Sequence, residues 1–368
     1  MSKARGLADL GNVYDDGALS NRNLIINGAM QVAQRGTSAT TFSYGTVDRF
    51  KPTEGDTSSL AITQTQDTNA PSGFSNSLKI TVTTAETMSG EKNLAVFHAM
   101  EAQNLQQLGY GTSEAQSITV SFWVKSSVTG AYCLSLYEND DNRNIGATYT
   151  INSANTWEYK TITFPPDTVG VIDNNNGTGL ETYFFLSVGP DRKTTNNTSW
   201  ATWSAARFGY GQVADVAGTT NATWQITGVQ LEVGDTATPF EHRSYGQELA
   251  LCQRYYQMMA DTRSGSTRGS LIGTSFKYAT STFTFAHLPV EMRSIPTLVK
   301  GFSGSTALRV LMAGATANFS ALAIDPDTTT TMVRLNSTSS TVSSAPNGSG
   351  GWMRINGDES YVALDAEL

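Results

Sequence analysis

Charged side chains are scarce in this sequence. Asp, Glu, Lys and Arg make up 15% of the 368 residues, and no basic stripe is present. The formal net charge of −8 comes from a scattered acidic excess, which disfavours nonspecific binding to nucleic acid or to an anionic membrane. No stretch approaches the ~20 apolar residues of a membrane span, and the N-terminus lacks the apolar segment of a signal peptide. We therefore expect a protein made in the cytoplasm that binds no nucleic acid and is not inserted into a membrane.

Cysteine and histidine are too few to build the common disulfide or metal sites. Cys133 and Cys252 form no Cys-x-x-Cys motif, and we expect both to be free thiols. His98, His242 and His287 lie far apart in no metal-binding spacing. No Gly-x-Ser-x-Gly elbow or phosphate-binding glycine loop is present. The sequence therefore predicts no metal, no cofactor and no enzymatic activity, although a carboxylate pair for glycan hydrolysis would form only in the fold.

Gly, Ser, Thr and Asn are abundant, which is typical of short strands joined by many turns. Period-two alternation dominates residues 23–243. In residues 118–124, for example, Phe122 falls on the apolar face of a strand and Trp123 on the opposite face. The spacing predicts a jelly-roll β-sandwich of about eight to ten strands. The clearest segments are residues 60–64, 78–82, 118–124, 132–137, 157–164 and 183–188.

The pattern changes after residue 243. Leu249, Cys252, Tyr256 and Met259 are spaced by three, four and three residues, which predicts a short connecting helix over residues 244–262. Residues 263–368 return to strand patterns and predict a second, smaller β domain. The chain length also favours two domains. The predicted fold class is all-β, with a jelly-roll sandwich over residues 23–243 joined by the helix to a C-terminal β domain.

Residues 1–22 contain few apolar side chains. Leu7, Leu10, Val13 and Tyr14 stand among Gly and Asp and cannot close a core. Two interpretations are open: a floppy terminus, or an arm that folds against a neighbouring subunit or particle. In the second interpretation these four residues are the candidate anchor.

Several stretches resemble a family of virion proteins. The predicted sandwich begins with NLIINGAMQVAQRGTS at residues 23–38 and ends with ITGVQLEVG at 226–234 and TPFEHR at 238–243. The C-terminal part contains LPVEMRSIP at 288–296. Together with SFWVKSS at 121–127 and NTWEYKTI at 155–162, they resemble tail-fibre and other surface proteins of tailed bacteriophages. The jelly-roll modules of those proteins are similar to family 4/9 carbohydrate-binding modules.

The resemblance implies a structural protein on the virion surface, assembled in the cytoplasm of the bacterial host. The favoured interpretation is a homotrimeric tail-fibre component involved in host attachment. Its expected partners are other virion proteins, and host surface glycan is a further candidate partner. One alternative is a capsid decoration or head-fibre protein anchored through the N-terminal arm. A glycan hydrolase is less favoured, because a depolymerising tailspike would normally show a long repetitive β-helix pattern.

Three tryptophans are candidate glycan-binding residues. Trp123 points away from the predicted core face, and a flat indole can stack on a sugar ring; the alternative is packing beneath a loop. Trp200 and Trp203 project the same way only in a helix and lie on opposite faces in a strand. The Asp/Asn runs at 139–142 and 173–177 lack the spacing of a calcium loop and predict hairpin turns.

Overall fold

The computed structural model describes residues 21–263, 271–301, 308–312, 314–319, 321–338, 345–356 and 360–368. The chain divides into two compact units, Met1–Glu248 with Leu368, and Leu249–Glu367. The candidate anchor residues Leu7, Leu10, Val13 and Tyr14 lie outside the described residues.

Twelve strands form the first unit within its described residues. They are β1 (Ser38–Ala39), β2 (Lys51–Gly55), β3 (Ala61–Asp67), β4 (Ser77–Thr84), β5 (Asn93–Glu101), β6 (Ile118–Ser126), β7 (Gly130–Glu138), β8 (Arg143–Ile151), β9 (Glu158–Phe164), β10 (Thr178–Val188), β11 (Ala201–Thr202) and β12 (Thr223–Val233). Sheet A has the order β1-β3-β4-β12-β6-β9, and sheet B has the order β11-β8-β7-β10-β5-β2. Short helices are Ala102–Leu108, Pro190–Lys193 and Ala205–Phe208.

The two six-stranded antiparallel sheets pack face to face as a jelly-roll β-sandwich, which confirms the predicted fold class. Their inner faces carry the apolar residues that alternate along each strand. Phe122 of sheet A and Phe184 of sheet B are fully buried, with ring centroids 5.1 Å apart. Trp224 lies in the same core. Each such side chain contributes roughly 2–3 kcal/mol through burial.

Part of the outer face of sheet B is covered by a helix of the same unit. Phe208, in the helix Ala205–Phe208, packs on Tyr183 and Phe185, with ring centroids 4.7 and 5.2 Å apart. Cys133 lies in this layer as a free thiol, as predicted, and burial raises its pKa to about 11. Ala95 of β5 also belongs to this layer, and every residue of β5 is buried.

Hydrogen bonds join the start of the sandwich to the segment that follows its last strand. Leu24 N donates to the Leu231 carbonyl at 2.9 Å. Asn23 N donates to the Glu241 carboxylate at 2.8 Å, and the Arg243 guanidinium donates to the carbonyls of Asn23 and Ile25. The motif that begins at residue 23 and the motif at 226–243 are therefore in direct contact in the folded domain.

The second unit contains ten strands in its described residues. They are β13 (Tyr256–Asp261), β14 (Leu271–Tyr278), β15 (Ser281–His287), β16 (Thr297–Gly301), β17 (Leu308–Met312), β18 (Ala315–Phe319), β19 (Ala323–Ile324), β20 (Met332–Thr338), β21 (Gly350–Ile355) and β22 (Tyr361–Asp365). One sheet has the order β13-β22-β16, and the other has the order β18-β17-β21-β14-β15-β20-β19. This unit is the smaller C-terminal β domain of the predicted fold class.

The connecting helix is shorter than the prediction of residues 244–262. It spans Tyr245–Gln253, and Tyr256–Asp261 is strand β13, paired with β22. The spacing of Tyr256 and Met259 fitted a helix, but their backbone groups pair with a strand about a hundred residues away. Long-range pairing thus outweighs local periodicity here.

The hairpin of β14 and β15 has its aromatic residues on the outward face. Ser275 and Thr284 are buried and share a hydrogen bond of 2.7 Å. Phe276, Phe283 and Phe285 are only half-buried and form a ring cluster with centroids 5.5 Å apart. A sheet that buries hydroxyls and turns phenylalanines outward is the reverse of the usual arrangement.

Candidate functional site

Trp123 lies on the outer face of sheet A, as its register predicts. It is half-buried and stands directly opposite Tyr159 of β9 and Thr227 of β12. Tyr159 is 45% exposed, and the two ring centroids are 5.4 Å apart. Neighbouring strands are about 4.8 Å apart, so the rings form a continuous aromatic surface across β6 and β9.

An open cleft of about 700 Å³ begins at this aromatic pair. Threonines form its floor, since Thr119, Thr161 and Thr163 follow Trp123 and Tyr159 along the outward face of the same strands. The segment 235–240 forms the wall and ends in the half-buried ring of Phe240. The cleft therefore offers aromatic faces and hydroxyl groups, the combination expected of a site for a polar, ring-shaped ligand.

Side-chain hydrogen bonds hold the wall of the cleft in place. Thr119 Oγ1 donates to the Gly234 carbonyl at 2.9 Å, and Thr163 Oγ1 donates to the Asp235 carbonyl at 3.1 Å. Glu232, nearly buried, accepts hydrogen bonds from the backbone N–H and the hydroxyl of Thr238 at 2.9 and 2.6 Å. The wall is consequently ordered before any ligand arrives, which lowers the entropic cost of binding.

Phe240 is supported by a second aromatic group. Its ring centroid lies 5.0 Å from that of Phe74 and 4.9 Å from that of His242. Phe74 in turn lies against Gly228, where an added Cβ would be 2.6 Å from Phe74 Cζ. Gly228 has φ of 61°, in the left-handed region that favours glycine. The glycine of the last-strand motif thus makes room for the ring that supports the cleft wall.

The other two candidate tryptophans are not at this cleft. Trp200 packs on the sandwich core, with its ring centroid 5.6 Å from that of Tyr110, and its Nε1 donates to the Pro165 carbonyl at 2.8 Å. Trp203 packs beside Phe208 on the outer side of sheet B. Strand β11, Ala201–Thr202, separates them. The structure thus gives both rings packing contacts and does not place them with Trp123.

The Asp/Asn run at 139–142 forms the turn of the β7–β8 hairpin, as predicted. The run at 173–177 is not a hairpin turn, because the strand after it, β10, pairs with β5 and β7 rather than with β9. The two segments hydrogen-bond to each other. Asp141 Oδ2 accepts from Val171 N, and Asp140 Oδ2 accepts from Asp173 N, both at 2.9 Å. Among the residues that the structure describes, no group of three or more His, Cys, Asp or Glu side chains is placed to hold a metal ion. Nor does any helix in these residues have the length and apolarity needed to cross a membrane.

The described lining of the cleft does not contain a pair of carboxyl groups. A glycoside hydrolase normally uses two carboxyl groups on either side of the scissile bond. The described lining of the cleft includes one acidic side chain, Asp235. His98 is fully buried against Phe50, and burial holds the pKa of its imidazole well below the usual value.

Sequence reasoning did not identify Tyr159, Phe240 or Phe74 as site residues. Tyr159 had a signal, because it lies within the NTWEYKTI stretch at 155–162 and alternates with the inward residues of β9. Phe240 belongs to the TPFEHR motif, which the sequence marked only as a domain boundary. The position of Phe74 depends on the packing of a loop against β12, which no local pattern encodes.

No protein-family model matches the sequence, and no curated protein matches it. Among solved structures, the chain is similar to the enzymatically active domain of tailspike protein 4 of bacteriophage CBA120, with 12% identity, a TM-score of 0.33, and coverage of 58% of this chain and 21% of that one. It is also similar to a CBM4 carbohydrate-binding module, with 12% identity, a TM-score of 0.30, and coverage of 56% and 97%. A putative sugar-binding protein from Bacteroides thetaiotaomicron has 10% identity, a TM-score of 0.30, and coverage of 57% and 99%. The chain thus covers about a fifth of the tailspike chain and nearly all of the other two.

Proposed function

We propose that the first unit is a glycan-binding module and that the cleft beside Trp123 and Tyr159 is its site. The observation that carries the proposal is the outward-facing aromatic pair, half-buried Trp123 and exposed Tyr159, next to a row of threonine side chains. Pyranose rings present C–H groups on their faces and hydroxyls at their edges. Aromatic rings bind the faces through dispersion contacts. The exposed Thr161 hydroxyl can donate and accept hydrogen bonds at the edges, and the exposed Thr163 hydroxyl, which already donates to Asp235, can accept them.

We further propose that the protein is a structural component of a tailed-bacteriophage virion surface, in the favoured case a tail fibre that attaches to host glycans. The resemblance of the motifs at 23–38, 226–243 and 288–296 supports this assignment. The alternative is a capsid decoration or head-fibre protein anchored by residues 1–22 to the capsid. Labelled antibody against the protein, counted on intact virions, separates the two cases by its position at the tail or at the head.

A shallow, open site binds sugar weakly, so attachment would depend on several copies acting together. We propose a homotrimer with contacts along residues 244–262 or through the C-terminal β domain, and we favour the second. The outward phenylalanines of β14 and β15 support this, together with Trp352 of β21, which is 52% exposed. Arg309 and Arg354 are cross-strand neighbours on the same sheet. Their positive charges would be attracted to a neighbouring subunit, because each chain has a net charge of −8. Sedimentation equilibrium at micromolar concentration should give three times the chain mass, and a monomer would contradict the proposal.

The Trp123→Ala and Tyr159→Ala variants test the glycan site. Each should weaken binding to the best ligand of a bacterial glycan array by at least about tenfold, which corresponds to about 1.4 kcal/mol, and should reduce adsorption to host cells. Trp203→Ala is the matched control, because it removes an indole from the opposite sheet. A Trp123→Ala variant that folds normally and binds with unchanged affinity would overturn the proposal.

A further inference from the structure

The aromatic surface at Trp123 continues into a positively charged group of side chains. Lys125 follows Trp123 by two residues on β6, so both point outward and their Cα atoms are about 7 Å apart. Across β12, Lys125 lies in register with Gln225, and Gln225 lies in register with Lys79 of β4. The two lysines therefore lie on the same outer face as the proposed glycan site.

Lys125 is held in a defined position by neutral groups. Its Nζ lies 5.0 Å from the centroid of the half-buried Trp157 ring and donates to Asn69 Oδ1 at 2.5 Å. Trp157 Nε1 donates to the same oxygen at 3.1 Å. Asn69 is itself fixed, because its carbonyl accepts a hydrogen bond from Ser77 Oγ at 2.7 Å. An ammonium group has three donors, and the described contacts of Lys125 use one of them on an acceptor that carries no charge.

Lys79, Asp67 and Lys125 together carry one net positive charge. Lys79 forms an ion pair of 3.1 Å with Asp67, while Lys125 has no carboxylate within ion-pair distance among the described residues. Partial burial lowers the pKa of Lys125; the attraction of Asp67 opposes this shift, and the repulsion of Lys79 is the smallest of the three effects. An anion beside Lys125 would stabilise the charged ammonium group against this partial burial. Asp235, the carboxylate of the cleft lining, belongs to the wall segment after β12 rather than to this group.

We infer that the site selects acidic glycans, with a uronic acid whose carboxylate pairs with Lys125 while a sugar ring of the same chain stacks on Trp123. The inference rests on the proposed glycan-binding function and names its ligand class. A carboxylate carries one negative charge, which matches the single excess charge of the group. A phosphate monoester carries nearly two at neutral pH. Given the spacing of Trp123 and Lys125, the carboxylate belongs either to the sugar ring that stacks on Trp123 or to the next sugar of the same glycan.

The test compares uronic acid oligomers with their carboxyl-reduced forms, which keep the ring and lose the charge. Oligomers of galacturonic, glucuronic and mannuronic acid are titrated into the full-length protein by calorimetry. We expect at least one acidic oligomer to bind about tenfold more tightly than its reduced form, and the difference to shrink as salt rises. Lys125→Gln should abolish the difference and leave the affinity for the reduced oligomer unchanged.

Lys51→Gln is the matched control, because Lys51 Nζ also lies over an aromatic ring, 4.6 Å from the centroid of Phe97, but on sheet B. It should keep the preference for the acidic oligomer. Equal binding of acidic and reduced oligomers, or a preference that survives in Lys125→Gln, overturns the inference and leaves the glycan site in place. Binding of no oligomer overturns the inference as well, and the Trp123→Ala assay on the glycan array then decides the proposed function separately.

Discussion

The Asn23 carboxamide bridges two backbone groups of the last strand of the sandwich. Its Oδ1 accepts a hydrogen bond from Leu231 N at 3.1 Å, and its Nδ2 donates to the Val229 carbonyl at 3.0 Å. Oδ1 also accepts from Ile25 N at 3.0 Å. Asn23 is 4% exposed, so water does not replace these bonds. This is why a motif at residue 23 and a motif near residue 230 mark the two ends of one domain.

The first prediction follows from this bridge. Asn23→Ala leaves the Leu231 N–H and the Val229 carbonyl buried without that partner, and each such group costs about 1–3 kcal/mol. We expect the free energy of unfolding to fall by roughly 2–4 kcal/mol in urea, monitored by tryptophan fluorescence. Asn174→Ala, at an exposed turn position, is the control and should change it little. Equal stability of the two variants would show that the bridge contributes nothing net.

The second prediction concerns Gly228. Gly228→Ala places a Cβ 2.6 Å from Phe74 Cζ and adds the cost of a left-handed alanine, about 1–2 kcal/mol. Phe74 must move, and its contact with Phe240 at the cleft wall is then lost. We expect lower stability and weaker glycan binding together. Gly90→Ala is the matched control, because Gly90 has φ of 59° and its added Cβ would meet only Asp191 Oδ2, at 4.0 Å. A loss no larger than that of Gly90→Ala would contradict the role assigned to Phe74.

The third prediction separates the tryptophans by their contacts. Trp200→Ala removes the hydrogen bond to Pro165 and the packing on Tyr110, and should lower the free energy of unfolding by roughly 2–4 kcal/mol. Trp123→Ala removes chiefly a cross-strand pair on an outer face and should cost within about 1 kcal/mol. Thermal and urea unfolding of both variants measure this difference. If Trp123→Ala is the more destabilising, Trp123 is a packing residue and the glycan site must be reassigned.

Alternation along the strands was sufficient to predict the sandwich. Ile118, Val120, Phe122 and Val124 are all fully buried, and Trp123 between them is not. The pattern failed for β5, because its outward residues are covered as well: Ala95 packs in the cluster of Phe208, and Phe97 packs against Tyr183 and Lys51. A strand buried on both faces loses the period of two on which the prediction depended.

The cleft was predicted only through Trp123. The alternation along β6 predicts which face of the sheet this residue occupies. The wall at 235–240 and the support from Phe74 depend instead on loop conformations that are fixed by residues distant in sequence. The same limit explains the connecting helix, where Tyr256 pairs with Asp365 rather than continuing a helical turn. Local sequence therefore predicts elements and faces, while the contents of a cleft depend on tertiary contacts.

The fourth prediction is a dependence of stability on pH. Glu138 is fully buried, its Oε1 accepts from Asp141 N at 3.0 Å, and burial together with nearby Asp side chains raises its pKa to about 7. In the unfolded chain this group titrates near 4.5. Between these values the folded state holds a proton that the unfolded state has released. The free energy of unfolding therefore falls as pH rises from about 4.5 to 7, by at most about 3 kcal/mol from this residue.

Glu138→Gln should remove that fall and make the protein more stable than the wild type at pH 8, since the amide keeps the acceptor for Asp141 N without the charge. Urea unfolding at pH 5 and pH 8 measures the effect. The exposed Glu91→Gln serves as the control and should follow the wild type at both values. A parallel pH dependence of Glu138→Gln and the wild type would show that another group is responsible.

The fifth prediction tests the N-terminal arm as the virion anchor. The truncation should remove residues 1–20 only, because Asn21 N donates to Glu241 Oε1 at 2.6 Å and Arg22 Nη2 donates to the Pro239 carbonyl at 3.2 Å. Without the arm, both β units should fold with an unchanged melting temperature, while incorporation into particles is abolished. The physical reason is that Leu7, Leu10, Val13 and Tyr14 gain about 25 cal/mol per Å² of apolar surface buried against a partner.

A full-length variant with these four residues changed to Ser separates apolar docking from the mere presence of the arm. It should fold normally and fail to join particles, as the truncated protein does. Virions purified from cells that express each variant are compared by quantitative immunoblotting against a major capsid protein. Truncated protein present at the normal copy number would place the anchor within residues 21–368, and normal incorporation of the serine variant alone would assign anchoring to polar contacts of the arm.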